Sequence, residues 1–240
     1  MSKKLTIKSG RFKNWRLITV DLDDTLWPCA PTIQKAEAEL FAWLVRHSPR
    51  LAGAHTPQTL REHRRQVAAA EPRLAHDLTR VRRESLRLLC REYGYPTRMA
   101  DLASDRFRRA RNRVDPFPEV AAALGRLRQQ YVLVSVTNGN AQVEHTALAH
   151  CFHHSLTAAD VGAAKPDPAL FEAALRFAAA TPVQALHVGD DPYLDIAAAQ
   201  AAGLTAVWMN RTGAIWPAEL PPPDAEICDL TGLLPLLGLP

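Results

Sequence analysis

Two kinds of hydrophobic pattern alternate along this chain. Short, nearly unbroken apolar runs occupy Leu17–Val20, Tyr131–Val136, Ala185–Val188 and Thr205–Trp208. Runs of this length, bounded by polar turns, predict strands buried on both faces. After the second run, apolar residues recur at helical spacing in Pro168–Ala180 and Tyr193–Ala202, and more loosely in Ala141–His150. Glu119–Gln130, just before it, has the same character, opened by Pro118. Ala225–Ile227 predicts an edge strand and Leu230–Leu237 a short closing helix. Strands alternating with helices in this way predict an α/β fold with a doubly wound, Rossmann-like parallel sheet.

The stretch Trp27–Val114 breaks this alternation. Helical periodicity runs through Pro31–Arg46, Pro57–Ala70, Leu74–Tyr93 and Arg98–Arg113, punctuated by Gly53, Pro72, Gly94 and Pro96. No part of it has strand character. The expected organisation is a core of residues 1–26 and 115–240, with a helical domain, 27–114, inserted after the first strand. Pro116 and Pro118 stiffen the return. Residues 1–14 are basic and lack the apolar segment of a signal peptide, so a loosely ordered lead-in is expected.

Composition changes this picture in two places. The net charge of +4 is unevenly divided. Trp27–Val114 carries 18 Lys/Arg against 9 Asp/Glu, a net +9, which leaves −5 for the remainder. The split suggests two regions with different tasks, although arginine is also simply a good surface residue of helices. The cysteines, Cys29, Cys90, Cys151 and Cys228, show no metal-ligand spacing, and reduced thiols in a cytoplasmic protein are expected. No apolar run is long enough to span a membrane.

The chemistry gathers at the ends of the predicted strands. The first runs into Asp21, Asp23 and Asp24. Unpaired carboxylates are costly to bury, so either the turn is solvated or a divalent cation offsets them. Two such carboxyls at one site can differ in protonation, one serving as nucleophile and the other as acid. The second strand ends in Thr137-Asn138-Gly139-Asn140, an anion-binding set of donors or an ordinary Asn-Gly turn. Lys165, before Pro166, can neutralise a phosphate or stand in solvent. A later strand ends in Gly189-Asp190-Asp191, with Asp195 one helical turn beyond, and a metal bridging both acidic clusters would relieve their repulsion.

In this order the four stretches resemble the four motifs of the haloacid dehalogenase-like hydrolase superfamily. The resemblance implies that Asp21 is the nucleophile, forming an aspartyl-phosphate, and that Asp23 protonates the leaving alcohol and then activates water. Thr137, Asn138 and Lys165 would bind the phosphoryl group. Mg²⁺ would be held by Asp21, the Asp23 carbonyl and Asp190, with Asp191 and Asp195 supporting the metal or Lys165. The helical insert takes the position of the superfamily's cap. A dehalogenase of this fold needs no acid for its halide and usually lacks the second Asp and the metal, so the pattern looks like a phosphatase. A phosphomutase would keep the same residues.

Asp-Leu-Asp-Asp-Thr-Leu followed by Trp27, together with the stretch Ala70–Arg80, Thr137–Asn140 and His187–Asp191, looks like bacterial phosphatases of FMN and 5-amino-6-(5-phosphoribitylamino)uracil, an intermediate of riboflavin synthesis. In that likeness Trp27 stacks on an isoalloxazine ring or packs against the cap. His76 and Arg80, taken as one turn apart on one helix face, meet the substrate or pair with Asp77 or Glu84. Sugar phosphates and nucleotides are alternative substrates. A nucleic-acid-binding protein on an inactive scaffold is the alternative of a different class, disfavoured by the scarcity of aromatics in the insert. The expected partner is a small phosphate ester, with no nucleic acid or membrane, and the expected state is a monomer or weak dimer.

Overall fold

The computed structural model describes residues 15–240, so the lead-in expected at 1–14 lies outside the described residues. Two units emerge. One comprises the described residues up to Pro28, with Pro116–Gly139 and Ala147–Pro240, and the other Cys29–Asp115 with Asn140–Thr146. The segment 140–146, expected in the α/β core, therefore goes with the helices.

In the first unit, β1 (Leu17–Val20), β2 (Val132–Thr137), β3 (His154–Thr157), β4 (Ala185–Gly189), β5 (Thr205–Met209) and β6 (Ala225–Ile227) form one sheet in the order β3-β2-β1-β4-β5-β6. All pairings are parallel. This is the doubly wound arrangement, in which ligands bind at the carboxyl ends of the strands near the point where strand order reverses. Central β1 is buried throughout, as its β-branched, apolar composition requires. One face of the sheet packs Leu17, Val134 and Val136 with Leu170, Phe171 and Ala174 of a helix at Ala169–Ala178.

Three features differ from the sequence pattern. β3 was not expected: it is a four-residue strand, His-Ser-Leu-Thr, at the sheet edge. Its Ser155 hydroxyl meets that of Ser135 on β2 at 2.7 Å, so cross-strand polar pairing replaces an apolar signature. The helix expected at Ala141–His150 is instead two short 3₁₀ turns, Val143–His145 and Ala149–Cys151. Here the Gln142 N–H donates to the Asn112 side chain at 3.0 Å, drawing 140–146 to the helical unit. The helix expected at Tyr193–Ala202 begins as a π-helical turn, Pro192–Ala197, and only Ala198–Ala201 is α-helical.

The helical unit contains α1 (Cys29–His47), α2 (Pro49–Ala54), α3 (Pro57–Ala70), α4 (Leu78–Glu92) and α5 (Arg98–Arg111). Leu40, Leu44, Leu51, Leu86, Leu89, Ala103 and Phe107 lie in its core. α3 opens with a capping box between Thr56 and Thr59, and Pro57 occupies its first turn. α4 starts four residues later than the periodicity suggests, because the Asp77 carboxylate caps it by accepting the Arg80 N–H at 2.8 Å. His76 therefore precedes the helix, and the shared helix face expected for His76 and Arg80 is not formed.

This unit also buries a carboxylate. Glu37 on α1 accepts from Arg61 at 2.6 Å and Arg64 at 3.3 Å, with Arg82 3.9 Å away. The Arg82 guanidinium lies 3.4 Å from the centre of the Phe107 ring. Burial, reinforced by Arg64, pulls the Arg82 pKa well below its usual value, against the pull of Glu37. Elsewhere Asp101 pairs with Arg83 and Arg87, and Glu39 with Arg106 and Arg113. Seven arginines thus gather on three acidic residues of the same unit, and the net positive charge of the stretch remains.

Candidate active site

Four strand ends and loops of the sheet unit converge. The Asp21 N–H donates to the Val188 carbonyl at 2.9 Å, carrying the β1–β4 ladder one residue further and fixing Asp21 at the mouth of the sheet. The Lys165 ammonium donates to Asp21 Oδ1 at 2.6 Å, to Asp195 Oδ1 at 2.5 Å and to the Val136 carbonyl at 3.0 Å. These three bonds engage all three of its donors. Burial opposes the charge on Lys165, but Asp195 and Asp21 outweigh it and hold the ammonium's pKa above its ordinary value.

The carboxylates do not share Lys165 equally. Burial raises Asp195, but Lys165 and the hydrogen bond to His187 outweigh it, leaving its pKa below the ordinary value. Asp21 stays well above its ordinary value: burial dominates, Lys165 only partly offsets it, and Asp195 and Asp190 repel. Asp190 is pushed up to about 7 by burial and by Asp195, against the hydrogen bond donated by Thr25 Oγ1 at 3.0 Å.

Carboxylate oxygens of Asp21, Asp190 and Asp195 come within 4.8 Å of one another and can hold a metal ion. An all-oxygen set with more negative charge than Lys165 neutralises fits a hard divalent cation such as Mg²⁺. Asp195 already serves other partners. Its Oδ2 accepts the Asp191 N–H at 3.0 Å, and its Oδ1 also faces His187 Nε2 at 3.3 Å. Asp21 and Asp190 are then the carboxylates best suited to such an ion.

The other expected residues take distinct places. Thr137, at the end of β2, is buried, and its hydroxyl oxygen accepts the Gly139 N–H at 2.9 Å. The Asn138 amide grips the backbone of Lys165, donating to its carbonyl at 2.8 Å and accepting its N–H at 2.7 Å. Its side chain thus positions Lys165. The Asp191 carboxylate caps the π-helical turn through the N–H groups of Tyr193 and Leu194. Trp27 is fully buried, and its indole N–H donates to Asp23 Oδ1 at 2.9 Å. His76 and Arg80 lie in the helical unit, Arg80 exposed at the start of α4.

Further residues belong to the site that had no role of their own in the sequence reading. His187, fully buried in β4, has Nδ1 3.0 Å from Thr19 Oγ1. Burial lowers its pKa, although its bond to Asp195 raises it. The neutral ring that accepts from Thr19 and donates through Nε2 to Asp195 satisfies both contacts. Gly189 leaves room for Asp195: a Cβ there would meet Asp195 Cγ at 2.4 Å. Arg211, beyond β5, donates to the Thr25 carbonyl from two nitrogens at 3.0 and 2.9 Å, pairs with Glu119 at 2.7 Å and stacks 3.8 Å over Phe117. The sequence signal for Arg211 is weak, because its partners are 92 and 186 positions away.

This sheet with converging carboxylates and a lysine at its carboxyl edge is a hydrolase arrangement, and the chain belongs to the haloacid dehalogenase-like hydrolases, whose family profile it matches over residues 15–203. It is 30% identical to the 5-amino-6-(5-phospho-D-ribitylamino)uracil phosphatase YigB of Escherichia coli (strain K12), over 92% of this chain and 95% of that protein. It is 38% identical to a phosphoserine phosphatase of Thermus thermophilus over 49% of each chain. Among solved structures, a 2-haloacid dehalogenase from Pseudomonas syringae pv. Tomato DC3000 superposes with a TM-score of 0.88 and 41% identity, covering 93% of this chain and 98% of that one.

Proposed function

We propose that this protein is a Mg²⁺-dependent phosphatase of a small phosphorylated metabolite, with FMN or 5-amino-6-(5-phosphoribitylamino)uracil as the substrate. The single observation that carries the phosphatase reading is the second carboxyl group, Asp23, two residues beyond Asp21 and hydrogen-bonded by Trp27. A halide leaves as a stable anion and needs no acid, whereas the alkoxide of a phosphate ester needs a proton.

In this reading an Asp21 oxygen forms a bond to phosphorus while the ester P–O bond breaks. The electron pair departs with the ester oxygen, which takes a proton from Asp23. In the second half Asp23 takes a proton from water, whose oxygen bonds phosphorus as the Asp21–phosphorus bond breaks, and both carboxyls return to their starting states. Lys165 and the Thr137 hydroxyl hold the phosphoryl oxygens, and Asn138 keeps Lys165 in place. Asp21, the Asp23 carbonyl and Asp190 would hold Mg²⁺, which supplies positive charge for the phosphoryl oxygens and for Asp21.

The substrate assignment draws on the similarity to YigB over nearly the whole chain. Substrate choice is assigned to the helical unit through His76 and Arg80. Arg80→Ala is then expected to lower kcat/KM for FMN by roughly tenfold to a hundredfold, and that for p-nitrophenyl phosphate far less. Equal losses would remove Arg80 from this role.

The similarity to a 2-haloacid dehalogenase favours a second reading, in which Asp21 displaces halide from carbon. Phosphate release from a metabolite panel, and halide release from 2-haloacids, each with and without Mg²⁺, separate the two.

A further inference from the structure

Trp27 was expected to meet the substrate or a packing partner through its ring, but its position calls for a different role. The chain leaving β1 folds back on itself. Asp24 adopts a left-handed conformation at φ 57°, the Leu26 N–H donates to the Leu22 carbonyl, and the Asp24 N–H donates to the Trp27 carbonyl, each at 2.8 Å. A backbone bridge joins Asp23 to Trp27. This turn brings the indole N–H to 2.9 Å from Asp23 Oδ1.

The turn is fixed from outside as well. Thr25 is buried, with its hydroxyl on Asp190 and its carbonyl on Arg211. The Leu26 carbonyl accepts the Phe117 N–H at 3.0 Å. The Trp27 ring is wholly shielded, so its orientation is set by packing. The donor aimed at Asp23 is therefore a fixed part of the fold, and the ring offers no open face for stacking.

We infer that Trp27 is a positioning residue that orients the Asp23 carboxyl for proton transfer to the leaving group. The inference deepens the phosphatase reading and rests on it. An indole nitrogen donates and never accepts, so it selects one carboxyl oxygen as acceptor in both halves of the cycle. With Oδ1 held by Trp27, the way the Asp23 carboxyl faces is fixed by the turn. An indole donor does so without adding a charge to the site. General acid catalysis depends on this alignment, since the proton must lie on the line to the departing oxygen.

The role predicts a dependence on the leaving group that a structural role would not produce. An alkoxide needs the proton and a nitrophenolate hardly does. Trp27→Phe keeps a large aromatic ring and removes the N–H. In Mg²⁺ buffer, its kcat/KM for a short primary alkyl phosphate is expected to fall on the order of tenfold to a hundredfold, while that for p-nitrophenyl phosphate falls within about threefold. A stacking role would reverse the order, because only the nitrophenyl ester has a ring to lose. If Trp27→Phe does not fold, benzothienyl-alanine at position 27 preserves the shape of the indole and still lacks the N–H. Equal losses on both esters, or a larger loss on the aryl ester, overturn the positioning role. A wild-type protein inactive on both esters overturns the phosphatase reading instead, and the role with it.

Discussion

Each unit of this protein buries a group of charges, and the two groups are built in opposite ways. In the helical unit one carboxylate, Glu37, is met by Arg61, Arg64 and Arg82. In the sheet unit one ammonium, Lys165, is surrounded by Asp21 and Asp195, with Asp190 close by. The excess charge of the first group has outlets: Arg61 and Arg64 reach toward solvent with a third and a quarter of their side chains exposed, and Arg82 rests on an aromatic face. In the second group Lys165, Asp21 and Asp195 are buried and Asp190 is partly exposed. Asp21 is pushed well above the ordinary carboxylate range and Asp190 up to about 7. The first arrangement cements helices, and the second is, in the proposed reading, where a cation and a phosphate would bind. The comparison teaches that the helical unit gathers its arginines on a few carboxylates, seven of them on Glu37, Glu39 and Asp101, and still keeps its net positive charge.

The contrast can be broken from either side. The largest effect is expected at the sheet end: Asp21→Asn removes the proposed nucleophile at nearly constant size and should lower turnover by at least about 10³-fold, roughly 4 kcal/mol of barrier. Single-turnover phosphate release measures it, and near-normal turnover would sink the assignment of Asp21. Next is Glu37→Gln, which leaves a buried Arg82 without its counter-charge. Removing one partner of a buried ion pair costs on the order of 3–5 kcal/mol, to be read as a lower urea midpoint with unchanged slope. A change under about 1 kcal/mol would mean that solvent already screens the cluster.

A smaller loss is expected for Gly189→Ala. Its Cβ would press on Asp195, so either the backbone shifts or Asp195 leaves Lys165, at about 1–3 kcal/mol of stability. Chemical denaturation tests this, and an unchanged midpoint would show that the turn after β4 relaxes freely.

The smallest effect has the opposite sign. Asp190→Asn retains an oxygen to accept from Thr25 and removes a charge from the crowded site. The folded Asp190 holds its proton to about 7, the unfolded one only to near 3.8. The folded state binds the extra proton between those values, so the contribution of Asp190 to stability falls as pH rises through that window. In EDTA the variant should melt slightly above the wild type at pH 8, with the difference shrinking toward pH 5. In Mg²⁺ the order should reverse, because only the wild type gains from the ion. A variant that melts far below the wild type in EDTA would make Asp190 a structural residue.

The residues of the site were visible in the sequence to the extent that they are local. Asp21, Lys165 and Asp190 each stand next to an apolar strand or a proline, and a charge in such a place calls for an explanation. β1, β2, β4 and β5 were visible for the same reason, as short buried runs. What escaped was settled by distant partners. β3 is polar and takes its strand form from pairing with β2. His187 looked like an ordinary strand residue until Thr19 and Asp195 bracketed its ring. Arg211 gains its meaning from Thr25, Phe117 and Glu119. Trp27 was legible as a residue near the site, but whether its face or its N–H mattered depended on a turn closed through the left-handed Asp24.

The most direct test of the sheet-end assignment is a parallel assay of phosphate and halide release by the wild-type protein, with Mg²⁺ and with EDTA. Expected are phosphate release from FMN or p-nitrophenyl phosphate in Mg²⁺, its loss in EDTA, and no chloride from 2-chloropropionate under either condition. Chloride release that persists in EDTA, with no phosphate released from any ester, would contradict it and make Asp21 the nucleophile of a dehalogenase.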